Sequence, residues 1–324
     1  MTFEEFIEEW QGDNESINVK TSGSTGAPKE IKLPKKFVRE SALRTNQFFG
    51  IKRGSRLHSC ISADTIGGKM MAVRADLSNS IFTYEIPSNQ PLKDLIRNEN
   101  LDLVAAVPSQ VHFILDNSNS LPKINNLLIG GSPIHLELRK RISKSGLNAF
   151  ESYGMTETAS HIAIRKIAET EIPFTLLPEI KVTINEDGCL CITFKDGTFV
   201  QTNDLAEIVS NNEFFIKGRK DDMIISGGKK INPYEIEKRI QKLISSPFLI
   251  TGIPDEKWGV KEVLIIEGEA IKGNLREKLS KVLDRWEMPK DIIYTDRLPR
   301  TSNGKIKRLK TPDSFSVVCK NPSF

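Results

Sequence analysis

LDLVAAVPSQVHFILDNSNSLPKINNLLIGGSPIHLELRKRISK, residues 101–144, is the stretch on which the fold turns. LVAAV (103–107) is an unbroken apolar run of the length expected for a strand buried on both faces. Residues 109–116 carry helical apolar spacing, NNLLIGG (125–131) reads as a strand ending in a glycine turn, and 134–144 are helical again. This alternation predicts an α/β domain with a largely parallel sheet.

The pattern continues on both sides. Thr2-x-x-Glu5 is a capping-box pattern that opens a short amphipathic helix through Trp10. Ile17–Lys20 reads as a strand that runs into a Gly/Ser/Thr-rich loop, 21–29. Residues 35–49 read as helix, 57–62 as strand, and Pro91 as the first residue of a further helix. After residue 175 the pattern changes to short strands broken at Asp187-Gly188, Asp196-Gly197 and Asn211-Asn212, which predicts hairpins in a small antiparallel β subdomain. Beyond Gly218-Arg219 comes a compact α+β unit: a helix from Asn232-Pro233, strands at 248–253 and 262–267, a helix over 274–285 and a strand over 291–295. The expected organisation is a large domain, 1–220, and a small one, 221–324.

Composition sets the outer bounds. The chain has 324 residues, 38% apolar and 27% charged, which suits a packed core and excludes a disordered chain. No apolar run approaches the ~20 residues that span a bilayer. The first ten residues, MTFEEFIEEW, are acidic, unlike a secretory or transit leader, so a cytoplasmic protein is expected. Net charge is +4, with the basic excess from Asp221 onward, which suits a polyanion such as a nucleotide or coenzyme A as well as a solvated lysine-rich surface. No basic stretch interleaves with aromatics, so nucleic acid is not an expected partner. Cys60, Cys189, Cys191 and Cys319 form no zinc-ligand spacing and are expected to be reduced thiols, mostly buried. His58, His112, His135 and His161 are scattered and read as structural or surface residues.

The loop Thr21, Ser22, Gly23, Ser24, Thr25, Gly26, Ala27, Pro28, Lys29 combines two glycines, four hydroxyls and a cation. Such a loop can bring backbone N–H groups close to phosphate oxygens. The same composition also serves an ordinary Gly/Ser turn. It is not a Walker A loop, because Pro28 stands where the second required glycine would be.

Four more segments join it in order: ESYGMTETAS (151–160), TND (202–204), GRKDDMIISGG (218–228) and PRTSNGKIKR (299–308). Together the five resemble the adenylate-forming superfamily of acyl- and aryl-CoA ligases, adenylation domains and luciferases. The resemblance runs from residue 17 to about 310. It implies the adenylate-forming-enzyme fold: a large α/β N-terminal domain with a small antiparallel β subdomain, and a small mobile α+β C-terminal domain. It also implies ATP, Mg²⁺ and coenzyme A as cosubstrates or cofactors.

Residue by residue, the resemblance assigns Thr21–Gly26 and Lys29 to the ATP β- and γ-phosphates, and Gly130, Gly131 and Ser132 to the adenine wall. Tyr153 would stack on the adenine, Thr156 would meet the α-phosphate and Glu157 would hold Mg²⁺. Asp204 would accept from the ribose hydroxyls; Asn203 stands where the family usually has Gly. Arg219 would contact ribose or phosphate, and Asp221 matches the hinge. Lys305 would be the catalytic ammonium. The carboxylate it helps join to the α-phosphorus is already ionised, so the step calls for orientation and positive charge rather than a general base. The small domain would then rotate, withdrawing Lys305 and bringing the Gly227-Gly228 turn to the coenzyme A channel.

YGMTETASHIAIR and IGGKMMAVRA (66–75) further resemble o-succinylbenzoate–CoA ligases of menaquinone synthesis. The resemblance implies an aromatic dicarboxylic acid as substrate, with Arg74 facing its second carboxylate and Ser160 lining the pocket. Relatives place a His where this chain has Asp64, which puts the usual gating residue in doubt. Only 20 residues precede the phosphate loop, so an N-terminus shortened relative to the superfamily is expected, with a pocket wall that is more open or completed by a second subunit in a homo-oligomer. Two rival readings remain: an adenylating enzyme serving another acid or a carrier-protein pantetheine, and a nucleotide-binding pseudoenzyme or assembly subunit.

Overall fold

In the computed structural model, residues 1–20, 29–300 and 306–308 are described. Thr2 opens α1 (Phe3–Gln11) with a reciprocal cap. Its hydroxyl accepts the Glu5 N–H at 3.2 Å and the Glu5 carboxylate accepts the Thr2 N–H at 2.8 Å. β1 (Ser16–Lys20) pairs antiparallel with β2 (Glu30–Pro34) and buries Ile17 and Val19. α2 (Lys35–Phe49) ends on Gly50, whose φ of 64° is the left-handed cap that glycine supplies cheaply.

The α/β layer follows. β3 (Arg56–Ser59) leads to α3 (Ile66–Ser78), capped by the Thr65 hydroxyl, and then to β4 (Ile81–Tyr84). Next come β5 (Asn100–Leu101), β6 (Leu103–Ala106), α4 (Pro108–Asp116), β7 (Lys123–Ile124), β8 (Leu127–Ile129), α5 (Leu136–Lys144) and β9 (Ala149–Met155). β9–β8–β6–β3–β4 run parallel, as the 101–144 pattern requires. Val104, Ala106, Leu127, Ile129, Val111, Ile114, Leu138 and Ile142 meet in one buried cluster between strands and helices. Each large aliphatic side chain buried there contributes about 1.5–3 kcal/mol. The chain moves from β3 to β4 on one side and then back to β6 on the other. Order therefore reverses at β3, and it is outside the carboxyl ends of strands at such a reversal that open α/β sheets hold ligands.

Pro91 does not begin a helix. Residues 91–94 form a turn, and Leu92 takes a φ of 66°. The reason is tertiary: the Glu85 carboxylate captures the Leu92 N–H at 2.9 Å.

β10 (Ser160–Lys166) turns back antiparallel along β9, and β11 (Phe174–Leu176) pairs antiparallel with β10. β12 (Ile180–Ile184), β13 (Cys189–Phe194), β14 (Phe199–Ser210) and β15 (Glu213–Arg219) follow, separated by turns at the three expected dipeptides. The chain divides into two compact units. The first holds 1–182, 192–200 and 209–215, and the second holds 183–191, 201–208 and everything from Ile216 onward, so the division passes through these strands rather than falling at one point.

In the second unit, β16 (Ile224–Ser226) and β17 (Lys229–Ile231) form a hairpin, followed by α6 (Pro233–Ile240), whose cap is the Asn232 side chain on the Tyr234 N–H. β18 (Phe248–Asp255) is antiparallel to β19 (Gly259–Glu267), and after α7 (Leu275–Ser280) β20 (Asp291–Thr295) joins β19 in parallel. Ile224, Ile236, Ile240, Ile250, Leu264, Leu275 and Leu279 fill its core. α7 is shorter than the expected 274–285: Glu287, held by Arg239, accepts the Asp284 N–H and turns the chain, while Leu283 stays buried with Leu279. Among the described residues no helix is long and apolar enough to cross a membrane.

Candidate active site

β9 and the turn after it carry the motif ESYGMTETAS. Glu151 is spent on structure: its carboxylate takes Arg139 at 2.7 Å and Arg165 at 2.8 Å, all three buried. Tyr153, two residues on, is half-buried against Phe174 and Phe214, with centroids at 5.7 and 5.4 Å. The parallel register sets Ile129 of β8 beside Glu151, which brings Gly130, Gly131 and Ser132 alongside Ser152 and Tyr153 at the sheet's carboxyl edge. A Cβ on Gly130 would lie 2.6 Å from the Ser152 Oγ, and Gly131 has φ of 88°. Glycine at both positions keeps this strand end free of side chains next to β9, the strand that carries Tyr153.

A 3₁₀ turn, Thr156–Thr158, then projects Thr156 and Glu157. Buried Thr158 pins it: the hydroxyl accepts the Met155 N–H at 3.0 Å and lies 2.6 Å from the Ser160 carbonyl. Ala159 and Ser160 follow at φ of 49° and 82°, conformations costing about 1–3 kcal/mol each in non-glycine residues. The Ser41 hydroxyl on the Ala159 carbonyl, 2.7 Å, helps hold them. Neither Thr158 nor this strain was read from the sequence; TETAS contains no glycine to signal left-handed backbone. Glu157 is exposed, and among the described residues no cation pairs with it, so its oxygens are open to a hard cation. Gly154 faces His161 across the strands, and a Cβ there would lie 2.2 Å from the Ser160 carbonyl oxygen. Gly154→Ala is therefore expected to cost about 1–3 kcal/mol or more in a urea unfolding curve, with activity falling as the turn shifts.

Arg74 lies inside α3 and is 1% exposed. Its Nη2 donates to the Ser160 hydroxyl at 3.4 Å, its Nε has no partner, and among the described residues no carboxylate compensates it. Burial lowers its pKa to about 9. Ser160 reaches the His161 Nδ1 at 3.4 Å, the His161 Nε2 meets the Thr45 hydroxyl at 3.0 Å, and Thr45 donates to the Ser41 carbonyl. The donors run one way along this relay, so Nε2 carries the ring proton. Burial, then the charge of Arg74, push the His161 pKa well down and keep the ring neutral. Asp64, at the expected gating position, is exposed and held by the Ser62 hydroxyl at 3.1 Å.

In the second unit Arg219 links two other expected residues. It reaches Asp204 at 2.8 Å and Asp221 at 2.9 Å, while Asn203 also donates to Asp221. Burial opposes the cation, but Asp204 and then Asp221 outweigh it and hold the guanidinium above its ordinary pKa. Gly227 and Gly228 form the β16–β17 turn at φ of 53° and 77°, both positive as a two-residue hairpin requires. A Cβ on Gly227 would strike the Trp258 ring at 2.8 Å. Lys29 stands exposed before β2. Thr21, Ser22, Gly23, Ser24, Thr25, Gly26 and Lys305 lie outside the described residues. Arg308, close after Lys305 in sequence, is bound by Glu237 at 2.6 Å and Asp222 at 3.1 Å.

The sequence profile of the AMP-binding enzymes matches residues 13–188, more than half of the chain. The chain belongs to the AMP-binding enzyme family. This AMP-binding enzyme is 33% identical to an acyl-CoA synthetase (AMP-forming)/AMP-acid ligase II-like protein from Dyadobacter fermentans, with 97% of this chain and 93% of that one covered and a TM-score of 0.63. It is 27% identical to 2-succinylbenzoate–CoA ligase of Staphylococcus aureus over 90% of the chain, and spans 65% of that protein's length. Its fold also matches o-succinylbenzoate coenzyme A synthetase of Bacillus subtilis, solved with ATP and magnesium ion, at 21% identity, 90% and 68% coverage and a TM-score of 0.75. The adenylate-forming fold expected from the five motifs is thus the fold of this AMP-binding enzyme.

Proposed function

We propose that the chain activates an aromatic dicarboxylic acid with ATP, forming an acyl-adenylate and then a coenzyme A thioester, and that the acid is o-succinylbenzoate. The observation that carries the choice of acid is Arg74: a buried guanidinium that has no carboxylate partner among the described residues and is braced by Ser160 suits an anionic group on a bound substrate. A monocarboxylic acid would satisfy the adenylation step and leave this cation bare. The named activity of the Staphylococcus relative supports the same acid.

In this reading, Tyr153 with Gly130, Gly131 and Ser132 takes the adenine, Thr156 the α-phosphate, and Asp204 with Arg219 the ribose. Glu157 would hold Mg²⁺, which supplies charge neutralisation to the phosphates when bound. Thr21–Gly26 and Lys29 take the outer phosphates, and Lys305 approaches the α-phosphorus. The glycine turn at 227–228 would line the coenzyme A channel, with open space at Gly228, where an added Cβ would meet nothing within 4 Å.

The test is a panel of mono- and dicarboxylic aryl acids assayed for acid-dependent pyrophosphate release, then for thioester with free coenzyme A and with a loaded carrier protein. The expected result is selective turnover of o-succinylbenzoate to the coenzyme A thioester. Preference for a monocarboxylic acid would overturn the acid, and thioester on the carrier alone would overturn the acceptor.

A further inference from the structure

His58, Cys60 and Glu85 have no part in the reaction proposed above, yet they converge. β3 and β4 run parallel with His58 beside Thr83, so Cys60 and Glu85 leave adjacent strand ends. A ring nitrogen, the thiol sulfur and a carboxylate oxygen all lie within 4.8 Å of one another, and His58 and Cys60 are fully buried. The sequence hid this, because Glu85 is far along the chain from the other two and only strand pairing unites them.

The hydrogen bonds leave the cluster incomplete. The Thr83 hydroxyl donates to the Leu57 carbonyl at 3.4 Å and therefore accepts from the His58 Nδ1–H at 2.8 Å. In that arrangement the ring proton sits on Nδ1 and Nε2 keeps its lone pair. This buried atom has no hydrogen-bond partner; the Glu85 Oε2 stands 3.8 Å away. Glu85 is itself oriented by the Leu92 N–H on Oε2, and its Oε1 is also buried without a partner. An unpartnered imidazole nitrogen close to a carboxylate that keeps one oxygen unpartnered, both buried, suits a positive species held among them.

We infer that His58 Nε2, Cys60 Sγ and the Glu85 carboxylate bind a zinc-type divalent cation, with a fourth position for water. Nitrogen, sulfur and oxygen together are a zinc donor set, whereas Mg²⁺ and Ca²⁺ take oxygens. Tetrahedral coordination sets ligands about 3.4 Å apart, a small side-chain adjustment from the observed separations. As the metal–sulfur bond forms, the thiol proton passes to solvent, and thiolate plus carboxylate balance the 2+ charge. Thr83 supplies the outer hydrogen bond that orients a ligating histidine.

The experiment is Co²⁺ titration of chelator-stripped full-length protein without nucleotide. One equivalent is expected to give cobalt–thiolate charge-transfer absorption, to release a proton and to be displaced by Zn²⁺, which also raises the thermal midpoint. Cys60→Ser should abolish the thiolate band, and Thr83→Val should weaken binding about 10–100-fold; both are near-isosteric, and their folding is checked by circular dichroism. A cluster that holds only a proton would show no thiolate band and no zinc-dependent midpoint, overturning the site. So would a thiolate band that survives in Cys60→Ser.

Discussion

Lys305→Ala is expected to slow acyl-adenylate formation by about 10²–10³-fold, the usual loss when a preorganised charge-stabilising group is removed from a transition state. ATP binding should change little, and thioester formation from preformed acyl-adenylate much less than adenylation. The physics is specific to the first half-reaction. A carboxylate approaches a phosphorus already surrounded by anionic oxygens, and an ammonium beside the forming bond has most to offer as negative charge crowds there. In the second half-reaction a thiol attacks the acyl carbon and AMP leaves as the acyl C–O bond breaks, so no bond to phosphorus is formed or broken and no second anion is brought up to it. Single-turnover pyrophosphate release, equilibrium ATP binding and thioester formation from the synthetic adenylate separate the three effects. Equal loss in both half-reactions would remove Lys305 from its assigned role. Lys305→Arg should rescue only in part, because a planar guanidinium cannot occupy the place of a compact ammonium.

The parts of this chain that were legible in the sequence are those whose cause is local. LVAAV and NNLLIGG became buried parallel strands because their apolar runs have no polar face to expose. Asp187-Gly188, Asp196-Gly197 and Asn211-Asn212 became turns because their residues suit tight reversals. Thr2 and Asn232 became caps for a similarly local reason. What was hidden depends on distant partners. Pro91 looked like a helix start until Glu85 claimed the Leu92 N–H. Thr158 looks like any threonine, but it holds both ends of the turn that presents Thr156 and Glu157. Glu151 sits in the same motif as Glu157 and differs from it only in having two arginines folded onto it. Arg74, on composition alone, suits a helix surface, and only packing against β10 shows it to be buried.

Arg74→Met is expected to move stability and function in opposite directions. In the free protein the guanidinium is fully buried with a hydroxyl and a thioether as side-chain partners, and among the described residues no countercharge offsets its desolvation. A methionine of similar reach removes that cost, and unfolding in urea should show a gain of about 1–3 kcal/mol. Under the proposed function, the same change would leave the second carboxylate of a bound dicarboxylic acid unpaired. KM for that acid should rise about 10²–10³-fold, as for breaking a buried ion pair, while a monocarboxylic analogue is unaffected. The pH dependence has a definite sign. Burial lowers the Arg74 pKa to about 9 in the folded chain, well below the ordinary arginine value, so from about pH 9 upward the unfolded state holds the extra proton. The penalty of the buried cation is therefore complete below pH 9 and lifts as pH rises through that value, and over the same range the free enzyme loses its affinity for the dicarboxylic acid. Arg74→Met should show neither trend. A variant that is both less stable and unaltered in its choice between the two acids would mean that Arg74 serves the packing of α3 rather than the substrate.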